Sequence, residues 1–157
     1  MKILILDPEK KVNHRISKDT SGGYGTGNDF GDAIIPTFLK KTLKMVHDWA
    51  PMFAVYTMSV LKKKGHEVYY SKKLPKNPSS FDLYIVVSSI VCCETECENI
   101  KIISKFNKKA LVIGPFSTSN PKKYIEAGGT VIMGEPEFFF MKKKNLDVIE
   151  NNKIINF

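Results

Sequence analysis

Short apolar runs alternate along this chain with segments that have helical periodicity. The apolar runs are rich in Ile, Val, Leu or Tyr, and they lie at Lys2 to Leu6, Glu67 to Tyr70, Leu83 to Val87, Ala110 to Ile113 and Thr130 to Met133. Runs of this length and composition are typical of strands that are buried on both faces of a sheet. The pattern therefore predicts five strands.

The segments between these runs predict helices. Helices are expected at Met52 to Lys64, at Glu94 to Phe106 and at Pro121 to Ala127. The first ends at a glycine after three lysines, and the last has proline near its first turn. Strands that alternate with helices favour parallel pairing through right-handed crossovers. The predicted fold is α/β, a flavodoxin-like (Rossmann-like) doubly wound five-stranded parallel sheet with helices on both faces.

One connection is much longer than such a fold requires. About 45 residues separate the first strand from the helix at Met52, whereas loops in α/β units usually have about 2–6 residues. Residues 33 to 49 have helical periodicity, and residues 8 to 32 are polar and rich in glycine. Because long loops often carry function, this connection is a candidate ligand-binding element.

The last part of the chain has a different pattern. After a short helix expected from Glu135 onward, residues 142–157 contain a hairpin predicted at Asp147 to Phe157, about Asn151 and Asn152, because asparagine tolerates the positive φ of such turns. This segment is interpreted as a hairpin or a linker toward an absent second domain. Residues 1–141 then form the main domain.

Composition excludes several classes of protein. The formal charge is +8, but Arg15 is the only arginine and the lysines cluster near predicted helix ends, where the macrodipole favours them. A solvated lysine face therefore accounts for the charge better than a nucleic-acid site does. No apolar run is long enough to span a membrane. We expect a cytoplasmic protein without nucleic-acid or membrane partners, whose three cysteines are reduced thiols.

Residues suited to ligand contact occur in the long loop and after three strands. Five of the ten glycines lie between Gly22 and Gly31, and glycine lets backbone amides approach a ligand. This loop is neither a P-loop nor a dinucleotide fingerprint, and a merely flexible loop is an equal alternative. Small or hydroxyl residues follow Val87, Ile113 and Met133, where parallel sheets place ligands.

Catalytic and metal sites are not predicted. Cys93-x-x-x-Cys97 begins the spacing of a radical-SAM cluster, but its third position is Ile100. Cys97 shares a helical stripe with Ile100, Ile103 and Phe106, which favours a place in the core. The three histidines have no sequence-adjacent nucleophile or carboxylate partner in a known arrangement.

The order of several short motifs resembles one known family. Those motifs are Lys2-Ile-Leu-Ile-Leu-Asp7-Pro8, Leu61-Lys-Lys-Lys-Gly65-His66-Glu67-Val68, Phe81-Asp82-Leu83 before Val87-Ser88, Gly114-Pro115, and Gly134-Glu135-Pro136-Glu137. Together they resemble the N-terminal cobalamin-binding domain of cobalamin-dependent radical-SAM enzymes, over nearly the whole chain. The loop Gly22-Gly23-Tyr24-Gly25-Thr26 is also similar to one found in some members.

The resemblance implies a corrinoid, cobalamin, over the strand ends. The residues expected to bind it are Asp7, Gly22, Gly23, Tyr24, Gly25, Thr26, Ser88, Ser89, Ile90, Gly114, Pro115, Phe116, Ser117, Gly134 and Glu135. It also implies a radical-SAM partner domain, in cis or in trans, that carries an iron–sulfur cluster and S-adenosylmethionine for methyl transfer. The Asp-x-His-x-x-Gly motif that supplies a histidine to cobalt is missing, since Asp7 is followed by Pro8, Glu9 and Lys10.

These observations lead to one leading hypothesis and one alternative, with a degenerate domain retained for protein contacts as a third possibility. The leading hypothesis is a cobalamin-binding module of a radical-SAM-type enzyme that is not catalytic by itself. The alternative is a small flavodoxin-like enzyme or regulator that binds a nucleotide or phosphorylated ligand at the glycine-rich loop.

Overall fold

The structure of the protein is a computed structural model that describes residues 1–9, 35, 38, 50–143, 145, 146 and 148–156. The glycine-rich loop and most of the helix predicted at 33 to 49 lie outside the described residues. Of that helix, residues 35 and 38 are described, and both are helical. The structural findings that follow concern the described residues.

The described residues form one sheet in which every pairing is parallel. Its strands are β1 (Lys2–Leu6), β2 (Glu67–Ser71), β3 (Leu83–Val87), β4 (Lys109–Ile113), β5 (Thr130–Ile132) and β6 (Ile154–Ile155). They lie in the order β2-β1-β3-β4-β5-β6. The predicted flavodoxin-like α/β architecture is confirmed, with six described strands where five were expected.

Helices connect the strands and cover the sheet. They are α1 (Met52–Lys63), α2 (Cys93–Lys105), α3 (Pro115–Ser119), α4 (Pro121–Glu126) and α5 (Pro136–Lys142), with a single 3₁₀ turn at Pro78–Ser80. The helices predicted before β2, between β3 and β4, and before β5 are all present. The prediction missed α3, although proline directly after Gly114 marks a preferred first helical position.

The central strands are buried because both sheet faces are covered. Successive side chains of a strand point to opposite faces, so Ile3 and Ile5 enter one apolar cluster and Leu4 and Leu6 enter the other. The first cluster includes residues of α1 and α5, and the second includes residues of α2 and α4. All five residues of β3 are buried. This two-sided burial explains why the strand sequences are continuous apolar runs and do not alternate with polar residues.

The predicted C-terminal hairpin is wrong. Asn152 has the positive φ expected of a turn residue, at 58°. However, Ile154–Ile155 pairs in parallel with β5 and adds a sixth strand to the sheet. The chain leading to it packs against the domain, since Leu146 and Ile149 belong to the first apolar cluster. The Thr130 hydroxyl also donates to the carbonyl oxygen of Glu150 at 2.8 Å.

One lysine illustrates how the basic residues serve helix ends. The Lys64 ammonium, just after α1, donates to the carbonyl oxygens of Met141 and Lys143 at 2.8 Å each. These carbonyls belong to the end of α5, where cations are favoured by the macrodipole. None of the helices in the described ranges is long and apolar enough to cross a membrane.

We expect Thr57→Val to raise the free energy of unfolding by about 1 kcal/mol. Thr57 is completely buried on α1, and its hydroxyl has no hydrogen-bond partner among the described residues. Valine keeps the shape and removes the desolvated hydroxyl. Urea denaturation of both proteins measures the change, with Leu61→Ala as a destabilising reference of about 3 kcal/mol. A loss of stability in Thr57→Val would contradict an unsatisfied hydroxyl.

Candidate functional site

The carboxyl ends of four strands meet at one edge of the sheet. Leu6 is paired with Val86, Val87 with Ile113, and Val112 with Val131, so the residues that follow these strands lie side by side. The winding direction reverses between β1 and β3, which are neighbours although β2 separates them in sequence. Loops diverge at such a reversal and leave a crevice where ligands bind in this class of fold.

Asp7 lies at this reversal and is almost fully buried. Its backbone N–H donates to the Ser71 carbonyl oxygen at 2.9 Å. Its Oδ2 accepts a hydrogen bond from the Tyr70 hydroxyl at 2.6 Å. Burial, together with the charge of Asp7 and this hydrogen bond, raises the pKa of Tyr70 above its usual range. Tyr70 is therefore a neutral donor that connects the end of β1 to β2.

The end of β4 is closely packed against two neighbouring elements. Gly114 has a φ of 119°, and a Cβ atom there would lie 2.8 Å from Ser88 Oγ and 3.2 Å from Phe53 Cζ. The Ser117 N–H donates to Ser88 Oγ at 3.0 Å, and the Ser117 hydroxyl contacts the Gly114 carbonyl oxygen at 3.0 Å. Gly114 is thus required by the protein's own packing.

The segment after β4 is a helix and not the expected loop. Pro115, Phe116 and Ser117 are the first three residues of α3. Pro115 is exposed and Phe116 is half-buried, whereas Ser117 is buried. The Phe116 ring packs against the second apolar cluster and meets the Tyr124 ring edge-to-face, with 6.3 Å between the ring centroids. Ser117 is held against Ser88.

A buried carboxylate organises the end of β3. Glu96 of α2 is completely buried. It accepts hydrogen bonds from the Ser89 N–H at 3.1 Å, from the Ser89 hydroxyl at 3.0 Å and from the Tyr124 hydroxyl at 2.6 Å. Burial and then the charge of Glu96 raise the pKa of Tyr124 above its usual range, so this tyrosine remains a donor.

An open groove of about 690 Å³ lies beside this network, between the first half of α2 and α3–α4. Its lining includes Ile90, Cys93, Cys97, Phe116 and Lys123. Burial, followed by the neighbouring Cys93, raises the pKa of the Cys97 thiol to about 12. Cys97 is only half-buried and lines the groove, whereas its helical stripe predicted a place in the core.

The other members of the predicted Cys97 stripe divide between core and surface. Ile100 and Ile103 are fully buried, in agreement with the prediction. Phe106 follows the last residue of α2 and is 44% exposed. The described residues contain no group of three or more His, Cys, Asp and Glu side chains that could hold a metal ion.

The predicted contact residues separate into two groups. Asp7, Ser88, Ser89, Gly114 and Ser117 are buried and contact other parts of the protein. The accessible ones are Ile90, Pro115, Phe116, Gly134 and Glu135. Gly22, Gly23, Tyr24, Gly25 and Thr26 lie outside the described residues. Cofactor contact by any of these residues stays a prediction. Among the described residues, the five accessible ones are those that a cofactor could reach.

The sequence interpretation missed Glu96, Tyr124 and Phe53. A signal for Glu96 was present, because it lies four residues before Ile100 and seven before Ile103, on an otherwise apolar stripe. A carboxylate at such a position is buried only where donors satisfy it. Tyr124 and Phe53 have no comparable signal, since an aromatic residue on a helix is ordinary core material.

Comparisons with known proteins give no relative to set beside this geometry. No protein-family model matches the chain, and neither a curated protein nor a solved structure does.

We expect Glu96→Ala to lower the free energy of unfolding by about 3 kcal/mol. The substitution leaves the Ser89 and Tyr124 donors buried without their acceptor. Glu98→Ala, at an exposed position of the same helix, should change stability by no more than about 0.5 kcal/mol. Chemical denaturation at neutral pH measures both. Equal effects of the two substitutions would show that the Glu96 network adds no stability.

Gly114→Ala should lower the free energy of unfolding by about 2–3 kcal/mol, and Gly65→Ala by about 1 kcal/mol. Both glycines have positive φ, at 119° and 82°, but a Cβ at Gly65 meets nothing within 4 Å. The difference between the two variants isolates the close contacts with Ser88 and Phe53. Parallel urea titrations measure it. Indistinguishable losses would mean that this packing adjusts freely.

Proposed function

We propose that this domain is a corrinoid-binding module that holds cobalamin at the carboxyl edge of its sheet. One observation carries the proposal: the segments expected to contact the corrinoid after β1, β3, β4 and β5 follow neighbouring strands of one parallel sheet. A corrinoid that lies over the strand ends, as the resemblance to cobalamin-binding domains implies, requires these segments to lie side by side. This arrangement agrees with the placement of ligands at the reversal point of doubly wound folds.

The accessible residues of this edge suit a broad, flat ligand with apolar parts. Ile90 is 49% exposed although it follows the buried Ser88 and Ser89 at the end of β3. Pro115 and Phe116 add two further accessible apolar side chains at the start of α3, and Gly134 adds a position without a side chain. Exposed apolar groups of this kind gain free energy when a ligand covers them.

The packing around Gly114 limits how a corrinoid is held. Phe53 and Ser88 lie so close to Gly114 that a Cβ atom there would be 2.8 Å from Ser88 Oγ, so no ligand atom can take that position. The one histidine among the described residues, His66, precedes β2 and therefore lies at the opposite edge of the sheet. The described part of the edge thus supplies a platform and no imidazole ligand for cobalt.

The contribution of this chain is binding and orientation. A methylated corrinoid would supply a methyl group when it is bound. In the proposed function, Ile90, Pro115 and Phe116 hold the ligand against the edge. A radical-SAM unit with its iron–sulfur cluster and S-adenosylmethionine, in cis or in trans, completes the enzyme.

A nucleotide or phosphorylated ligand is the alternative for the same fold. The reversal point between β1 and β3 favours it as well, because doubly wound domains hold mononucleotides there. Its proposed contacts are backbone amides of the loop Gly22 to Thr26, outside the described residues. The two proposals differ in the ligand and in their dependence on Ile90.

We expect saturable binding of hydroxocobalamin or methylcobalamin to the purified protein, and we expect Ile90→Glu to weaken it at least about tenfold. A charge at Ile90 places a solvated carboxylate where the apolar ligand surface would lie. Visible absorbance and calorimetric heat follow the titration. Flavin mononucleotide and adenosine triphosphate are titrated in parallel.

Ile102→Glu is the matched control. Ile102 is 39% exposed on α2, but it lies toward the other end of that helix. The control should bind cobalamin as the unmodified protein does. Equal weakening by both substitutions would argue against the proposed edge. Binding of a nucleotide with no response to either cobalamin would replace the proposal with the alternative.

A further inference from the structure

Cys93 and Cys97 are four residues apart on α2 and both line the groove beside α4. Side chains at this spacing lie on one face of a helix. Cys97 Sγ lies 3.7 Å from the Lys123 carbonyl oxygen, at the α4 side of the groove. Cys92 and Cys93 are both buried, but only Cys93 is part of the groove lining. The groove therefore presents a pair of thiols.

Helix geometry does not suit a disulfide between these cysteines. Positions four apart on a helix have Cβ atoms about 5–6 Å apart, whereas a disulfide requires about 3.5–4.5 Å. A metal ion with two sulfur ligands at about 2.3 Å each spans sulfur atoms up to about 4.6 Å apart. The longer bridge allows both cysteines to bind without a change in the helix. The spacing thus favours a bridging ion over a direct bond.

The surroundings select the kind of ion. No third His, Cys, Asp or Glu side chain joins the pair in a metal-binding group among the described residues. A structural zinc ion requires four ligands, and calcium and magnesium require six or more oxygens or waters. Thiolate pairs with few other donors suit a soft ion of low coordination number.

The charges near the groove suit the complex that results. Two thiolates and one monovalent cation carry a net charge of −1. The positive end of the α2 macrodipole lies at Cys93, and Lys101 and Lys123 line the same groove. These positive groups offset the charge of the complex, although Glu94 and Glu98 lie on the same lining.

We propose that Cys93 and Cys97 bind one soft monovalent metal ion, Cu(I), between their sulfur atoms in the groove between α2 and α4. Both thiols lose a proton to solvent as two copper–sulfur bonds form, and no group is oxidised or reduced. The open groove gives the ion access from solvent. This site adjoins the proposed corrinoid contacts of the sheet edge, because Ile90 and Phe116 line the groove as well.

The test uses the full chain, completely reduced and without oxygen. Cu(I) is supplied as its coloured bicinchoninate complex, and its transfer to the protein lowers the absorbance of that complex. We expect one equivalent to transfer. Cys97→Ser and Cys93→Ser should each weaken binding at least about 100-fold, because even residues behind metal ligands contribute 10- to 100-fold. Cys92→Ser should have no effect, and circular dichroism checks the fold of every variant.

X-ray absorption at the copper edge gives a second measurement on the unmodified protein that does not depend on any variant. Two sulfur neighbours and no further strong ligand are expected. No transfer of copper, equal losses in Cys92→Ser and Cys97→Ser, or a first shell of three or more sulfur atoms would each overturn the proposal. Zinc binding as tight as that of Cu(I), measured by competition with a zinc chelator, would also overturn it.

Discussion

The burial of the central strands on both faces is the constraint on which the rest of this structure depends. β1, β3 and β4 carry side chains into two separate apolar clusters, so each strand requires a helix layer above and below it. The layers in turn require crossover connections, which bring the carboxyl ends of the strands to one edge. The candidate site is therefore a consequence of how the strands are buried.

A single buried carboxylate connects this edge to the groove. Glu96 accepts from Ser89 at the end of β3 and from Tyr124 of α4, and it precedes Cys97 in the sequence. The network fixes the start of α2 relative to both neighbours. Because a buried carboxylate is stable only with its donors in place, movement of the β3 end and movement of α4 are coupled. Ile90 and the thiols of Cys93 and Cys97 lie in the segment from the end of β3 to the first half of α2, which this network fixes in place.

The sequence predicted the strands more completely than the site, for a physical reason. A run such as Leu83 to Val87 is apolar throughout because both of its faces are buried, so its pattern is local and readable. The role of Gly114 depends on Phe53 and Ser88, which are distant in sequence and meet only in the folded chain. Glycine also reads equally well as a ligand contact or a turn. The network of Glu96 was predictable in part, from a carboxylate on an apolar stripe.

The pairing of the last strand was also not predictable from the local sequence. Asn152 was recognised as a turn residue and has positive φ, but turn chemistry does not determine what the following residues pair with. Ile154 and Ile155 meet the free edge of β5 and extend the sheet in parallel. An unpaired strand edge offers a row of N–H and carbonyl groups to any nearby extended segment. Partner choice was thus set by an available edge of the folded sheet, which only the assembled topology reveals.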